Sequence, residues 1–321
     1  MREYTSQVNG INDPGALNVE MDIPVTAFDT PIGAAYVRVW GISLRDIGQA
    51  SNLNNNLISV FGGMAKGLPL ANPKQFGLLT KGYIQQAFGN WIGVDMTLDL
   101  IIAAGTGPNG LGQNAAPKNI TMNWQAGTPL SGAIGNALST AFPGIKQNIN
   151  ISPNLILPNH EPGPYPTIEE FSKYVRGISK SINKDPNYTG VSITMANNEL
   201  QVSDATIEGA LPSGTSPKMI AFTDLVGQPT WIENRLIQIT CVMRADLKIM
   251  DVIKLPPTLA TTTAASLSQY RDSSIFQGNF QIQTLRHVGN LRQPDARAWA
   301  TTIEAYPMGS TSTPTGGIGH A

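Results

Sequence analysis

Between Asp22 and Ile102 the chain alternates short apolar, β-branched or aromatic runs with turn-forming residues. Val25–Phe28, Ala35–Trp40, Leu57–Phe61, Tyr83–Phe88 and Asp95–Ile102 carry the strand pattern. Gly62-Gly63, Gly67, Pro69, Asn72-Pro73 and Gly89-Asn90 punctuate them. Short strands between frequent turns predict a small barrel or sandwich. Ala103–Thr128, rich in glycine, proline and asparagine, reads as a linker or long surface loop.

The pattern then changes. Gly132–Phe142 has a helical look, and Thr167–Ile182 is the clearest helix of the chain. Thr167 follows Pro166 as an N-cap, Glu169 and Glu170 favour the positive end of the dipole, and Phe171, Val175 and Ile178 share one face. Val191–Met195 and Glu199–Ser203 flank Ala196-Asn197-Asn198 as a hairpin. These elements predict a small α+β module over Thr128–Ala210, with Leu211–Pro217 as a linker. From Ile220 to Tyr306 the pattern is again that of strands, at Leu236–Met243, Val252–Leu255, Gly278–Val288 and Ala298–Ala305. Thr258–Ser268 interrupts them as a loop or short helix, and the Gly/Ser/Thr/Pro-rich tail after Pro307 is expected to be mobile.

The first and third regions resemble each other. Leu57-Ile58-Ser59-Val60 before Met64 matches Leu236-Ile237-Gln238-Ile239 before Met243. Gly82-Tyr83-Ile84-Gln85 before Gly89-Asn90 matches Gly278–Gln283 before Gly289-Asn290, and a Thr-containing strand closes each region. One chain is thus expected to hold two copies of a barrel with an unrelated module between them. A closed trimer of such chains presents six similar barrels, so a three-fold object can match a six-fold one.

Charged residues make up only 13% of the 321 residues, against about 25% in typical soluble domains. Either the chain is buried in an assembly, whose interface cores are poor in charge, or it is a β-rich protein with amide-rich loops. The formal net charge of -1, without a basic stripe, argues against a sequence-reading nucleic-acid binder. Met1–Gln7 lacks an apolar signal region, and no apolar run approaches the roughly 20 residues that span a bilayer, so a soluble, cytosolically made protein is expected. Cys241, the one cysteine, sits in an apolar run and is expected to be a small buried hydrophobe.

Candidate chemistry is sparse. Gly105-Thr106-Gly107-Pro108-Asn109-Gly110 matches a nucleotide-loop spacing, but Pro108 removes an amide and the following residues start a helix poorly. His160, His287 and His320 have no metal-ligand spacing, and His287 reads as a hydrogen-bonded turn or interface residue. Asp246 and Asp251 read as hairpin or interface charges. Met64, Met219, Met243 and Met250 read as core, or as adaptable interface side chains. Trp40, Trp91, Trp124, Trp231 and Trp299 fall in or near strands and read as core, with stacking on a glycan as the alternative. No catalytic residue, cofactor or metal is expected.

Phe61-Gly62-Gly63-Met64, Gly67-Leu68-Pro69-Leu70-Ala71-Asn72-Pro73, Gly82 and Ala87-Phe88-Gly89-Asn90-Trp91 resemble the baseplate hub proteins of contractile-tailed bacteriophages. Phe276-Gln277-Gly278, Arg286-His287-Val288-Gly289-Asn290 and Trp299-Ala300-Thr301-Thr302 are similar to the last tube-like domain of that family. The resemblance covers most of the first and third regions and is weak over the middle module.

It implies a mainly β fold with a small α+β insertion and two related tube-like β-barrel domains. The expected division is an N-terminal extension 1–21, a first barrel 22–127, a module 128–217, a second barrel 218–307 and a tail 308–321. The implied function is a non-enzymatic homotrimeric hub of the virion baseplate, assembled in the host bacterial cytoplasm. Its implied partners are the tail tube or tube-initiator protein, the central spike and other baseplate proteins, without stable membrane association. Lys66, Arg244, Lys248, Lys254 and Arg286 are candidates to face DNA passing through the lumen, through phosphates and without sequence reading. No fused lysozyme or peptidase domain is expected. The alternatives are a tail-tip enzyme acting on cell walls, which would need a carboxylate pair or metal cluster, and a glycan-binding module.

Overall fold

A computed structural model describes residues 2–9, 11–27, 34–64, 75–104, 119–184, 188–196, 199–204, 216–233, 236–256, 276 and 278–308. The chain opens with a minimal hairpin, β1 (Gln7–Val8) and β2 (Ile11–Asn12). Next come β3 (Asn18–Val25), β4 (Ala35–Trp40), α1 (Leu44–Gly48), β5 (Leu57–Gly62), β6 (Gly77–Ile92) and β7 (Asp95–Ala104). A middle unit follows, with β8 (Ile120–Trp124), α2 (Leu130–Ala141), β9 (Lys146–Asn150), β10 (Glu161–Tyr165), α3 (Ile168–Asn183), β11 (Val191–Ala196) and β12 (Glu199–Asp204). The last stretch holds β13 (Lys218–Met219), β14 (Thr230–Glu233), β15 (Leu236–Val242), β16 (Val252–Leu255), β17 (Gly278–Asn290) and β18 (Trp299–Met308).

The fold is mainly β. An 11-stranded sheet runs in the order β14-β15-β18-β17-β3-β4-β7-β6-β5, with β16 also on β17 and β13 on β16. This sheet contains the same motif twice. The order β3-β4-β7-β6-β5 in one half is answered by β14-β15-β18-β17-β16 in the other, and each neighbouring pair is antiparallel. Two backbone irregularities recur at matched places. A bulge lies between Ile84 and Gln86 of β6 and between Ile282 and Thr284 of β17. Asn55 and Met250 both take left-handed φ, 65° and 68°. Asn55 N–H donates to the Ile84 carbonyl at 2.8 Å and Ile84 N–H to Asn56 at 3.0 Å; Met250 and Asp251 do the same for Ile282, at 2.8 and 2.9 Å.

This pairing corrects the alignment expected from the sequence. Leu57–Gly62 matches Val252–Leu255, and Leu236–Val242 matches Ala35–Trp40, one strand away from the match drawn on apolar residues. The bulges likewise set Gly89 opposite the place of His287, not Gly289. The expected strand Val25–Phe28 shares only Val25 with the observed one, Asn18–Val25, whose alternation buries Met21 and Ile23 and leaves Glu20 and Asp22 half-exposed; Thr26 and Ala27 lie past its end and Phe28 lies outside the described residues. Within the expected linker Ala103–Thr128 lies strand β8, which buries Ile120, Met122 and Trp124. Residues 65–74, 105–118, 205–215 and 257–275 and the tail from 309 lie outside the described residues, and with them Lys66, the Gly105–Gly110 loop, Thr258–Ser268 and His320.

The middle unit has its own core, made by α2 and α3 against β8, β10 and the mixed sheet β11-β12-β9. Its elements follow their local signals. The Thr167 hydroxyl accepts from Glu170 N–H at 3.2 Å and so caps α3, which buries Phe171 and Val175. The hairpin β11–β12 pairs Val191 with Asp204 through to Ala196 with Glu199. No helix among the described residues is long and apolar enough to cross a membrane.

Asn55 is exposed, so its contribution is mainly to backbone geometry. Asn55→Ala should cost about 1 kcal/mol, because an L-residue with a Cβ resists the left-handed region, whereas Asn55→Gly should leave stability unchanged or raise it. Urea denaturation of the two variants checks this.

Candidate assembly interface

The two halves of the large sheet meet edge to edge. β17 pairs with β3 antiparallel, from Leu285 opposite Val25 to Asn290 opposite Glu20. On one face of this joint Leu285, His287, Met21 and Ile23 are buried. On the other face Arg286 holds Asp22 through two bonds, Nε at 2.7 Å and Nη2 at 2.5 Å, and Asn290 Nδ2 donates to Glu20 Oε1 at 2.6 Å. A two-pronged guanidinium–carboxylate contact fixes strand register as well as adding attraction. Arg286 is thus paired with Asp22 while its side chain stays exposed.

A second tie crosses the halves deeper in the fold. Arg244 is buried, with Nε 3.0 Å from Asp246 Oδ1, Nη2 2.7 Å from Asp246 Oδ2 and Nη1 2.8 Å from the Met219 carbonyl. Asp224, also buried, lies 3.4 Å from Arg244 Nη1 and accepts from Gln75 Nε2 at 3.1 Å. Ala245 N–H returns a bond to the Gln75 carbonyl at 2.8 Å. Arg244 was a candidate to face DNA in a lumen. Burial against two aspartates overturns that, since a charge removed from water needs partners. Asp251 binds Lys218 Nζ at 2.7 Å and caps Lys248 N–H at 2.6 Å, which fits its reading as a hairpin charge. Lys248 and Lys254 remain exposed.

In the first half a carboxylate takes the place of a core residue on the outer face. Asp99 is fully buried beneath Tyr36 and Arg38. It accepts from the Tyr36 hydroxyl, from Arg38 Nε at 2.5 Å and from Asn90 Nδ2 at 2.5 Å. Burial alone would raise its pKa, but the bonds from Arg38 and Tyr36 outweigh burial and hold it below the usual carboxylate range. Satisfaction by these three donors, one of them a guanidinium, describes a structural ion pair.

The other candidates also have structural partners. Cys241 is buried, and burial pushes its thiol up to about 12, which leaves no thiolate for chemistry. His160 Nε2 lies 2.6 Å from Asn123 Oδ1 at the surface. Met243 is fully buried and Met219 exposed. Of the tryptophans, Trp124 is fully buried, while Trp91 and Trp231 are exposed, contrary to the core reading. Among the described residues no group of three or more His, Cys, Asp or Glu is placed to hold a metal ion.

His287 gives the joint a pH response. It is buried with Nδ1 2.9 Å from Thr301 Oγ1, and burial lowers its pKa from 6.5 to about 4. The folded state keeps it neutral while the unfolded chain protonates near 6.5, so its stabilisation is complete above that pH and is lost as pH falls towards 4. The loss should reach roughly 3 kcal/mol, at 1.36 kcal/mol per pKa unit. Denaturation curves between pH 7 and 4.5 should show His287→Gln losing less stability than the parent over this window.

Some edges have no strand beside them. Among the described residues nothing pairs with Phe88–Ile92 of β6 on the side away from β7, nor with β14 on the side away from β15. Exposed apolar side chains collect at both edges: Phe88, Trp91 and Ile92 on β6, and Trp231 and Ile232 on β14. The place of the tryptophans in or near strands had suggested core packing; the sheet order instead puts β14 at an edge and leaves the end of β6 beyond the reach of β5.

No protein-family description matches the sequence, and a search of curated proteins finds no similar sequence. A solved structure shares the fold. The chain is similar to the c3393 protein of Escherichia coli, with a TM-score of 0.50 at 9% identity over 95% of this chain and 77% of that one. That protein is described as a component of the type VI secretion system with structural similarity to the bacteriophage T4 tail proteins gp27 and gp5. Weaker similarity extends to a tail protein of Neisseria meningitidis, with a TM-score of 0.45 at 11% identity, covering 90% of this chain and 91% of that one. A 43 kDa tail protein of prophage MuSo2 from Shewanella oneidensis gives 0.47 at 9% identity, covering 92% and 99%. At such identities the similarity is one of fold.

Proposed function

We propose that this chain is a structural component of a phage-type tail baseplate, a non-enzymatic hub in which two tube-like barrels flank a middle module. Three copies close into a pseudo-hexameric ring that joins the tail tube to the central spike and resolves their symmetry mismatch. The observation that carries this reading is the repeated strand order, with its two halves joined edge to edge. A chain with a built-in copy of its own neighbour contact needs half as many subunits to complete a ring. The low charge content and the exposed apolar edges fit a surface destined for other subunits. The fold shared with a secretion-system component likened to phage tail proteins agrees with this role.

Native mass spectrometry and electron microscopy of the purified chain test the reading. The expected result is a three-chain ring with six similar lobes; a single chain at micromolar concentration would overturn it. The same preparation should leave no cleared band on a cell-wall zymogram.

A further inference from the structure

The joint between the halves occurs once within the chain, yet the repeat provides the parts for it twice. Matched through their pairing with β18 and β7, β17 corresponds to β6, and β3 corresponds to β14. Arg286 and His287 thereby take the places of Phe88 and Gly89. Asp22 pairs with Tyr36 of β4 as Thr230 pairs with Gln238 of β15, so Ile23, the next residue of β3, takes the place of Trp231. β17 has β3 beside it; among the described residues β6 has no such strand, and β14 has no strand in the role of β17. Exposure follows the same division. Ile23 is 0% exposed in the completed joint, whereas its counterpart Trp231 is 41% exposed and stacks on Phe276.

We infer that Phe88–Ile92 of one copy pairs antiparallel with β14 of a second copy, in the register that sets Phe88 opposite Ile232, Gly89 opposite Trp231 and Asn90 opposite Thr230. This deepens the ring reading above and rests on it. The register is that of Arg286 on Pro24, His287 on Ile23 and Val288 on Asp22, carried across by the repeat. Ala87 N–H is already held by Asn54 Oδ1 at 2.7 Å, so the pairing begins at Phe88. Both edges present apolar side chains, with Phe88, Trp91 and Ile92 meeting Trp231 and Ile232.

The two joints differ in chemistry, and this keeps them from exchanging. The one within the chain is clamped by Arg286 and Asp22, whereas the one between copies sets Phe88 and Asn90 against Ile232 and Thr230. If β17 opened and took a second copy's β14, Arg286 and Asp22 would lose each other and gain no charged partner. The contact between copies is head-to-tail, so successive copies add in one direction until the ring closes.

Disulfide trapping tests the register. The chain carrying Phe88→Cys and Ile232→Cys should convert, under mild oxidation, to covalent multimers of whole chains up to the closed ring. Phe88→Cys with Trp231→Cys, one residue out of register and on opposite faces, should trap at least ten-fold less. Mixing the Phe88→Cys and Ile232→Cys single variants should stop at covalent dimers. All replaced side chains are exposed, and circular dichroism checks that each variant is folded. Rings by native mass spectrometry without trapping, or with equal trapping in both registers, would overturn this pairing and leave the ring reading standing. A single-chain mass for the parent protein would remove both. Independently, Ile232→Lys should shift the parent's ring mass to that of one chain; an unchanged ring mass would count against β14 as the edge.

Discussion

Arg244→Ala is expected to destabilise the chain by about 3–5 kcal/mol, the range for removing one partner of a buried ion pair. The guanidinium lies between two carboxylates, so its loss leaves Asp224 buried with the bond from Gln75 but without its cation, and Asp246 without its two-pronged bond. The effect should exceed that of breaking the Arg286–Asp22 pair, whose side chains are 59% and 39% exposed. Solvent screening reduces such a pair to about 0–1 kcal/mol. Equilibrium denaturation of Arg244→Ala beside Arg286→Ala measures both. A loss below about 1 kcal/mol for Arg244→Ala would mean that the tie between Gln75 and the second half is not a source of stability.

Trp124→Ala should cost about 3–5 kcal/mol, as for other fully buried large aromatics, and the loss should fall on one part of the molecule. Trp124 is 0% exposed at the end of β8, and its Nε1–H donates to the Thr128 carbonyl at 2.8 Å. The buried cluster around it shares no residue with the two clusters under the large sheet, which themselves share Val25 at their margins. Unfolding of the variant should therefore split, with amides of β8, α2 and α3 exchanging early and those of β7, β17 and β18 retaining protection. Uniform loss of protection across all of these strands would show that the module and the sheet unfold as one body.

Much of the secondary structure was legible because it obeys local rules. Thr167 caps α3, the Val191 and Glu199 strands form their hairpin, and Ala35–Trp40 alternates cleanly. That the chain repeats itself was legible too, but its alignment was not. β-branched runs such as Leu57-Ile58-Ser59-Val60 and Leu236-Ile237-Gln238-Ile239 are interchangeable as text, and only hydrogen-bond partners assign them to different strands. The candidate interface was the least legible part. Trp91 and Trp231 look like core residues because strand patterns report alternation, whereas exposure is decided by which strand has no neighbour. Arg244 looked like a surface cation for a related reason: Asp224, twenty residues before it in the chain, and Gln75, far earlier, reach it only in the fold.

The shared bulge and the left-handed corner at Asn55 and Met250 have a consequence for the shape of anything built from this chain. The bulge bends each long strand at a matched place and increases its twist, and the left-handed residue turns the chain two residues before β5 and before β16. Two halves with few residues in common therefore turn and bulge at the same places. Mutation is free to repaint the surface of such a wall, because its radius is written in the backbone.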